Sequence, residues 1–213
     1  MPRTLVCISA SDGAGGEEIA PLVARRLGLL LVDEQIVARA AEEAGVEAHV
    51  VAGAEQRRSL IERLLEQLPA TAAGASPFTG YVPLDVAEAG PAGDELRGLI
   101  RSAIEEIGER GSAVIVSHAA SLALGPREGI LRVFITGSEE ARRARFGQAR
   151  GLSEREAEKL LARGDANRAN DFKRFYGVAE LPTHYDLVLN TDLLSPEEAA
   201  ETIVHAAAGP PDG

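Results

Sequence analysis

Residues 4–28, TLVCISASDGAGGEEIAPLVARRLG, contain an apolar run, a glycine-rich turn and a helical pattern in direct succession. The run at 4–9 has the length of a buried strand, and residues 16–27 place apolar side chains at helical spacing. Between them stand Gly13–Gly16, GAGG, followed at once by two glutamates. The stretch therefore predicts a β-strand that passes through a tight turn into an α-helix.

The rest of the chain repeats this alternation. Apolar runs at 29–32, 112–117, 130–136 and 185–191 predict four more strands, with helical patterns between and after them. Short apolar strands that alternate with helices indicate a parallel sheet covered on both faces. We expect an α/β fold with a doubly wound, parallel, five-stranded sheet, whose ligands bind at the carboxyl ends of the strands, where Gly13–Gly16 lie.

The serines that precede helical patterns mark where those helices begin. Ser138, Ser153 and Ser195 are each followed by glutamates at or near the position of a capping box. Helical patterns also cover 33–68 and 94–110, and they are separated by a segment at 69–93 that is rich in Pro, Gly and Ala. We expect one domain over 1–208, with a disordered tail at 209–213.

Composition excludes several classes of protein. The 213 residues carry a net charge of −11, which argues against a broad nucleic-acid or anionic-membrane surface. No apolar stretch approaches the roughly 20 residues that span a bilayer, and a signal-peptide pattern is absent from the start of the sequence. The single cysteine, Cys7, lies in the first apolar run and is expected in the core. The expected location is the cytoplasm, and oligomeric state is not indicated.

The glycine-rich turn allows two interpretations. A loop of this composition can aim several backbone N–H groups at one point, at the positive end of the helix dipole, and so hold phosphate. Alternatively, the glycines only permit the helix to pack closely on the strand. The lysine that usually accompanies a phosphate-binding loop is absent, and the four residues alone do not separate the two interpretations.

The order of further motifs resembles the cytidylate kinase-like family, a branch of the P-loop nucleoside monophosphate kinases. Residues 6–37, VCISASDGAGGEEIAPLVARRLGLLLVDEQIV, are similar to its opening, and RGSAVIVSHAASLAL at 110–124 is similar to its third strand. Residues 132–177, with LSEREAEK and the D-x-x-R of DANR, look like its fourth strand and lid, and HYDLVLNT at 184–191 looks like its final strand.

The resemblance implies a P-loop kinase-like fold with a helical acceptor-binding insert at about 34–93 and a lid at about 138–177. It also implies ATP-dependent phosphorylation of a nucleoside monophosphate, with CMP or dCMP as the expected acceptor. ATP and Mg²⁺ would be the cofactors and a small-molecule nucleotide the partner. Gly16 occupies the slot of the missing lysine, as is common in this branch.

The resemblance also assigns site residues. The phosphates of ATP would lie on Gly13, Ala14, Gly15, Gly16, Glu17 and Glu18; the catalytic group would be Arg142, Arg145, Asp165 and Arg168; and the acceptor would meet Asp33 and His118. Arginines on a closing lid can stabilise the charge of a transferring phosphoryl group. The competing interpretations are a solvated helix face with i,i+4 charge pairs for the arginines and a helix N-cap for Asp33.

Three positions depart from the family pattern. Ala10 and Glu17 stand where arginines are expected, and Ser117-His118-Ala119 replaces a Gly-Arg-Gly sequence. Glu17 could complement the helix dipole, hold Mg²⁺ or repel a triphosphate. The alternative function is therefore a catalytically weakened nucleotide- or ligand-binding protein on the same scaffold.

Overall fold

A computed structural model describes residues 3–33, 111–117 and 120–209. The strands are β1 Leu5–Ala10, β2 Leu30–Asp33, β3 Ala113–Val116, β4 Ile130–Thr136 and β5 Leu187–Asn190. The helices are α1 Gly16–Leu27, α2 Ala120–Leu124, α3 Glu139–Arg150, α4 Glu154–Tyr176 and α5 Pro196–Ala208, with a 3-10 turn at Pro182–His184. The predicted insert, the helix at 94–110 and all but the first residue of the predicted tail lie outside the described residues.

The five strands form one parallel sheet in the order β2-β3-β1-β4-β5, which confirms the predicted fold class. The central strand, β1, pairs with β3 on one side and with β4 on the other. Ile8 is in register with Val116 of β3 and with Val133 of β4. The carboxyl end of β1 therefore lies between these two strands. The loop after β1 thus lies where a doubly wound sheet usually binds its ligands.

The core forms where α1 and α5 pack against the sheet. Val6 and Ile8 of β1 are fully buried in one cluster with Ile19, Val23 and Ile203 of these two helices. Each such side chain contributes about 1.5–3 kcal/mol by leaving water. The packing therefore fixes the first turn of α1 against the end of β1.

Cys7 is fully buried in β1, between Val6 and Ile8, so the predicted core position is confirmed. Successive side chains of a strand point to opposite faces, and Cys7 consequently faces away from the cluster under α1. Burial raises the pKa of its thiol to about 12. The thiol therefore stays protonated, as expected for a core residue.

Helices α3, α4 and α5 begin after the predicted serines, but α1 begins differently. The Ser138 hydroxyl accepts a hydrogen bond from the Ala141 N–H, and Ser153 and Ser195 form complete capping boxes. In α1 the cap is Gly15, whose missing side chain leaves the first N–H groups of the helix uncapped. This helix start is the one that faces the glycine-rich loop.

Candidate active site

The loop from Ala10 to Glu17 leads from β1 into α1. Gly15 has φ of 84°, and its carbonyl accepts hydrogen bonds from the N–H groups of Glu18 and Ile19 at 3.1 and 3.0 Å. The N–H groups that precede Glu18 thus come before the helical hydrogen-bond ladder begins. They lie at the positive end of the helix dipole, which attracts anions.

Alternate carbonyl groups of this loop are held by side chains from elsewhere in the fold. The three bonds run from Arg168 Nη1 to Ala10 O (3.0 Å), from Arg142 Nε to Asp12 O (2.8 Å) and from Thr191 Oγ1 to Ala14 O (2.8 Å). In a planar trans peptide the N–H points away from the C=O. The N–H groups of Gly13 and Gly15 therefore turn away from these anchors, the arrangement of an anion-binding nest.

Two of the glycines have no room for a side chain. Gly13 has φ of 74°, and a Cβ built there would lie 2.4 Å from the Arg142 carbonyl oxygen. A Cβ at Gly16 would lie 2.4 Å from the Cβ of Ala10. The backbone of Arg142 thus leaves no room for a side chain at Gly13. The Ala10 side chain leaves no room for one at Gly16, where other phosphate-binding loops have a lysine.

Arg142 joins α3, the loop and α4. Its side chain is buried, and Nη2 donates to both carboxylate oxygens of Asp165 at 2.7 and 2.9 Å, while Nε holds the Asp12 carbonyl. Arg142 and Asp165, both predicted as catalytic, are therefore brought together across two helices. The solvated-face interpretation is wrong for Arg142, because its partner lies on another helix rather than at i,i+4.

Arg168 is also buried, between the rings of Phe134 and Phe172, whose centroids lie 5.3 and 5.4 Å from its Cζ. Its Nε donates to Glu180 Oε2 at 2.6 Å, and Nη2 donates to the Ser9 hydroxyl at 2.8 Å. The solvated-face interpretation is wrong here too. With the bond to the Ala10 carbonyl, all three nitrogens of the guanidinium donate to groups of the protein.

Glu180 keeps both Arg168 and Tyr185 protonated. Burial acts to lower the pKa of Arg168, but the hydrogen bonds and charge of Glu180 outweigh it and hold the pKa above its usual value. Tyr185 donates its hydroxyl to Glu180 and stacks on Phe134 at 5.0 Å between centroids. Burial, together with Glu180, raises the pKa of Tyr185. The phenol therefore stays protonated and serves as a hydrogen-bond donor.

Arg145 differs from the other two arginines. Its Nη1 donates to the hydroxyl and the carbonyl of Thr191 at 3.0 and 3.1 Å. Its Nη2 is a buried atom without a hydrogen-bond partner among the described residues. A Cβ built on Gly15 would lie 3.9 Å from Nη1. The spare donor, Nη2, lies beside Gly137, directly after β4, where a Cβ would be 3.1 Å away.

The remaining predicted site residues are placed less fully. Glu17 is half-buried in the first turn of α1 and Glu18 is exposed. Asp33 ends β2, with its backbone opposite Val116 of β3, which confirms its predicted place at the carboxyl edge. His118 lies outside the described residues.

Sequence reasoning missed two residues that shape this site, Thr191 and Glu180. Thr191 is buried directly after β5, and its quoted motif, HYDLVLNT, placed it at the carboxyl edge of the sheet without indicating a contact with the loop. A hydroxyl at the end of a strand next to the loop was the available signal. Glu180 follows α4 in a stretch that carried no motif.

Two classes of feature are absent from the described ranges 3–33, 111–117 and 120–209. No group of three or more His, Cys, Asp and Glu side chains there could hold a metal ion. None of the helices in these ranges combines the length and the apolar character that crossing a bilayer requires.

Comparison with known proteins places this geometry in a family context. The model of the cytidylate kinase-like family matches residues 5–193. A cytidylate kinase from Ignicoccus hospitalis (strain KIN4/I / DSM 18386 / JCM 14125) is 29% identical over 203 residues, which cover 94% of this chain and 96% of that protein.

Solved structures share the fold. An uncharacterized protein from Eubacterium ventriosum ATCC 27560 superposes with a TM-score of 0.65 at 14% identity, over 97% of this chain and 99% of that one. A sugar kinase from Janibacter sp. HTCC2649 gives 0.53 at 17% identity, over 98% and 97%. At these identities the likeness concerns the kinase-like α/β fold alone.

Proposed function

Because the chain belongs to the cytidylate kinase-like family, we propose that it is a nucleoside monophosphate kinase. It transfers the terminal phosphoryl group of ATP to a nucleoside monophosphate in the cytoplasm, and CMP or dCMP is the acceptor. The name of the Ignicoccus hospitalis relative, cytidylate kinase, supports this choice of acceptor. The observation that carries the proposal is the loop between β1 and α1, whose alternate carbonyls are held outward.

The residues around the loop fit a nucleoside triphosphate. The N–H groups of Gly13 and Gly15 lie in the loop before α1, where the dipole favours negative charge, whereas the Ala14 N–H donates to the Ser11 carbonyl. The Nη2 of Arg145 is a buried donor without a partner among the described residues, and a phosphate oxygen would satisfy it. Backbone donors therefore take over part of the work that a lysine does in other phosphate-binding loops.

Mg²⁺ fits the site through one carboxylate rather than through a cage of ligands. This ion commonly binds one or two carboxylates together with the phosphates of the substrate, and Glu17 stands in the first turn of α1, where such a ligand is needed. When bound, the ion would neutralise charge on the phosphates. The role of Glu17 as its ligand is part of the proposal.

The catalytic arginines divide into two roles. Arg145 would donate directly to the transferring group, because its Nη2 is buried without a hydrogen-bond partner among the described residues. Arg142 and Arg168 would act through the loop carbonyls that they hold, with Asp165 orienting Arg142. We propose that Asp33 and His118 face the acceptor, as the resemblance implies.

The test is a coupled assay of ADP release with CMP, dCMP, UMP, AMP and GMP, in wild type and two glycine variants. Gly13→Ala should abolish turnover, since its Cβ would meet the Arg142 carbonyl. Gly125→Ala is the matched control, because Gly125 also has positive φ, at 64°, but has open space around it. Turnover fastest with CMP or dCMP supports the proposal, whereas full activity in Gly13→Ala contradicts it.

One observation favours the alternative, a nucleotide-binding protein with little turnover. Arg168 and most donors of Arg142 are engaged by protein groups, and Glu17 adds negative charge beside the loop. Calorimetric titration with ATP and Mg²⁺ distinguishes the two functions. Binding of ATP without ADP release for any monophosphate would favour the alternative.

A further inference from the structure

We propose that Thr191 positions both the phosphate-binding loop and Arg145, and that its hydroxyl is the group responsible. The effect on ATP binding rests on the proposed function, whereas the effect on the loop does not. Thr191 lies just beyond β5, remote from the loop in sequence, and is 3% exposed.

The hydroxyl of Thr191 has one donor beside it and two acceptors for its single proton. It has one proton and two lone pairs. Arg145 Nη1 donates to the oxygen at 3.0 Å, so the proton must be directed to an acceptor. The Ala14 carbonyl at 2.8 Å is the nearer acceptor, and the Thr136 carbonyl lies at 3.1 Å. The arginine therefore orients the hydroxyl toward the loop.

The bond to Ala14 decides where the next N–H points. The C=O of Ala14 and the N–H of Gly15 belong to one planar trans peptide and point in opposite directions. Holding the carbonyl against Thr191 thus turns the Gly15 N–H into the loop. Gly15 itself does not resist rotation of this peptide, because it has no Cβ and has φ of 84°.

The same residue fixes Arg145. Thr191 accepts from Nη1 through its hydroxyl and through its carbonyl, and this second bond holds the guanidinium at a defined angle. The Nη2 then remains buried, without a partner in the described part of the chain. The Nη1 that Thr191 holds lies beside the loop, 3.9 Å from a Cβ built on Gly15, whereas the Nη2 lies beside Gly137. Thr191 consequently holds both a backbone peptide of the loop and the guanidinium of Arg145 beside it.

The experiment compares Thr191→Val, which has nearly the same shape but no hydroxyl, with Thr191→Ser, which keeps the hydroxyl. Thr202→Val is the matched control, because the Thr202 hydroxyl also bonds a backbone carbonyl, that of Glu198, but on the exposed face of α5. If Thr191→Val does not fold, Thr191→Ala removes the hydroxyl without adding a methyl near Ala14. The measurements are amide hydrogen exchange of residues 11–17 and calorimetric titration with MgATP and, separately, with CMP.

We expect Thr191→Val to speed exchange across residues 11–17 by about tenfold and to weaken MgATP binding by about tenfold, the effect of losing one hydrogen bond. CMP affinity should not change, and Thr191→Ser and Thr202→Val should resemble wild type. Unchanged exchange in Thr191→Val, or equal losses in Thr191→Val and Thr191→Ser, would overturn the inference. Faster exchange in a protein whose wild type does not bind MgATP would support the role of Thr191 and refute the proposed function.

Discussion

At the scale of single residues, Ala10 and Gly16 constrain one another. The Cβ that a lysine would place at position 16 meets the Cβ of Ala10 at 2.4 Å but remains 3.9 Å from its Cα. Removing one methyl group would therefore make room. The two positions are coupled, and the missing lysine is a consequence of packing as well as of chemistry.

We expect Gly16→Lys alone to destabilise the protein by about 1–3 kcal/mol, the usual effect of overpacking. The double variant Ala10→Gly/Gly16→Lys should recover most of that loss and bind MgATP more tightly, because lysine supplies a point charge to the phosphates. Urea denaturation and calorimetry measure the two effects, with Ala10→Gly as the control. A Gly16→Lys variant as stable as the wild type would contradict the proposed steric conflict between a side chain at position 16 and Ala10.

Glu17 offers a second test at this scale. We expect Glu17→Arg to tighten ATP binding by about 1–3 kcal/mol, since it removes a negative charge and adds a bidentate donor. Glu18→Arg is the matched control, because Glu18 occupies the same helical turn but is exposed. Calorimetry with and without Mg²⁺ separates the interpretations of Glu17. A gain in both series indicates repulsion, and a loss confined to the Mg²⁺ series indicates a metal ligand.

At the scale of elements, α3 and α4 contact each other and also hold the loop between β1 and α1. Arg142 of α3 contacts the loop backbone and Asp165 of α4, whereas its neighbour Arg143 pairs at 3.1 Å with Glu154, whose side chain is 77% exposed. Of these two adjacent arginines on α3, Arg142 is a buried contact to the loop and Arg143 forms an ion pair at the surface.

This contrast changes what truncation of Arg142 should do. Arg142→Ala should lower the free energy of unfolding by about 1–3 kcal/mol, because the Asp12 carbonyl loses its donor and Asp165 its partner. It should also abolish most turnover. Arg143→Ala should cost no more than about 1 kcal/mol, as for exposed ion pairs, and should leave turnover unchanged. Thermal unfolding and the ADP-release assay test this, and equal stability losses in the two variants would contradict it.

Elements with a local signal could be predicted from the sequence. The strand, turn and helix of residues 4–28, and the capping boxes of Ser153 and Ser195, depend on neighbours within a few residues. The partners of Arg168 could not be predicted, because its bond to the Ala10 carbonyl joins positions 158 residues apart. A D-x-x-R motif predicts an arginine on a helix but not whether that arginine faces a ligand or the protein itself.

At the scale of the whole molecule, the loop depends on distant parts of the fold. Its three anchors come from α3, from α4 and from the residue after β5, so the geometry of the nest requires these distant elements to be in place. The opposite, amino-terminal edge is held differently. There Arg132 of β4 is buried and binds Asp186, just before β5, through Nη2 to Oδ1 at 2.7 Å and Nε to Oδ2 at 3.1 Å.

The Arg132–Asp186 pair predicts how stability depends on pH. Burial acts to raise the pKa of Asp186, but the hydrogen bonds and charge of Arg132 outweigh it and hold the pKa below its ordinary value. A carboxyl group with a lower pKa in the folded state stabilises the protein above its unfolded pKa of about 3.9, and this contribution is lost as the pH falls through the folded value.

We therefore expect Asp186→Asn to lower the free energy of unfolding at about pH 7 by roughly 1–3 kcal/mol. The loss should lie near the lower end, because the aspartate is partly open to solvent, which screens its charge. The difference from wild type should shrink below about pH 4, where the wild-type carboxylate is itself protonated. Urea denaturation over a pH series measures it, with Glu201→Gln, an exposed carboxylate on α5, as the control. A difference that stays constant down to about pH 3 would mean that Arg132 does not depress this pKa, and that the edge is held by backbone pairing and packing alone.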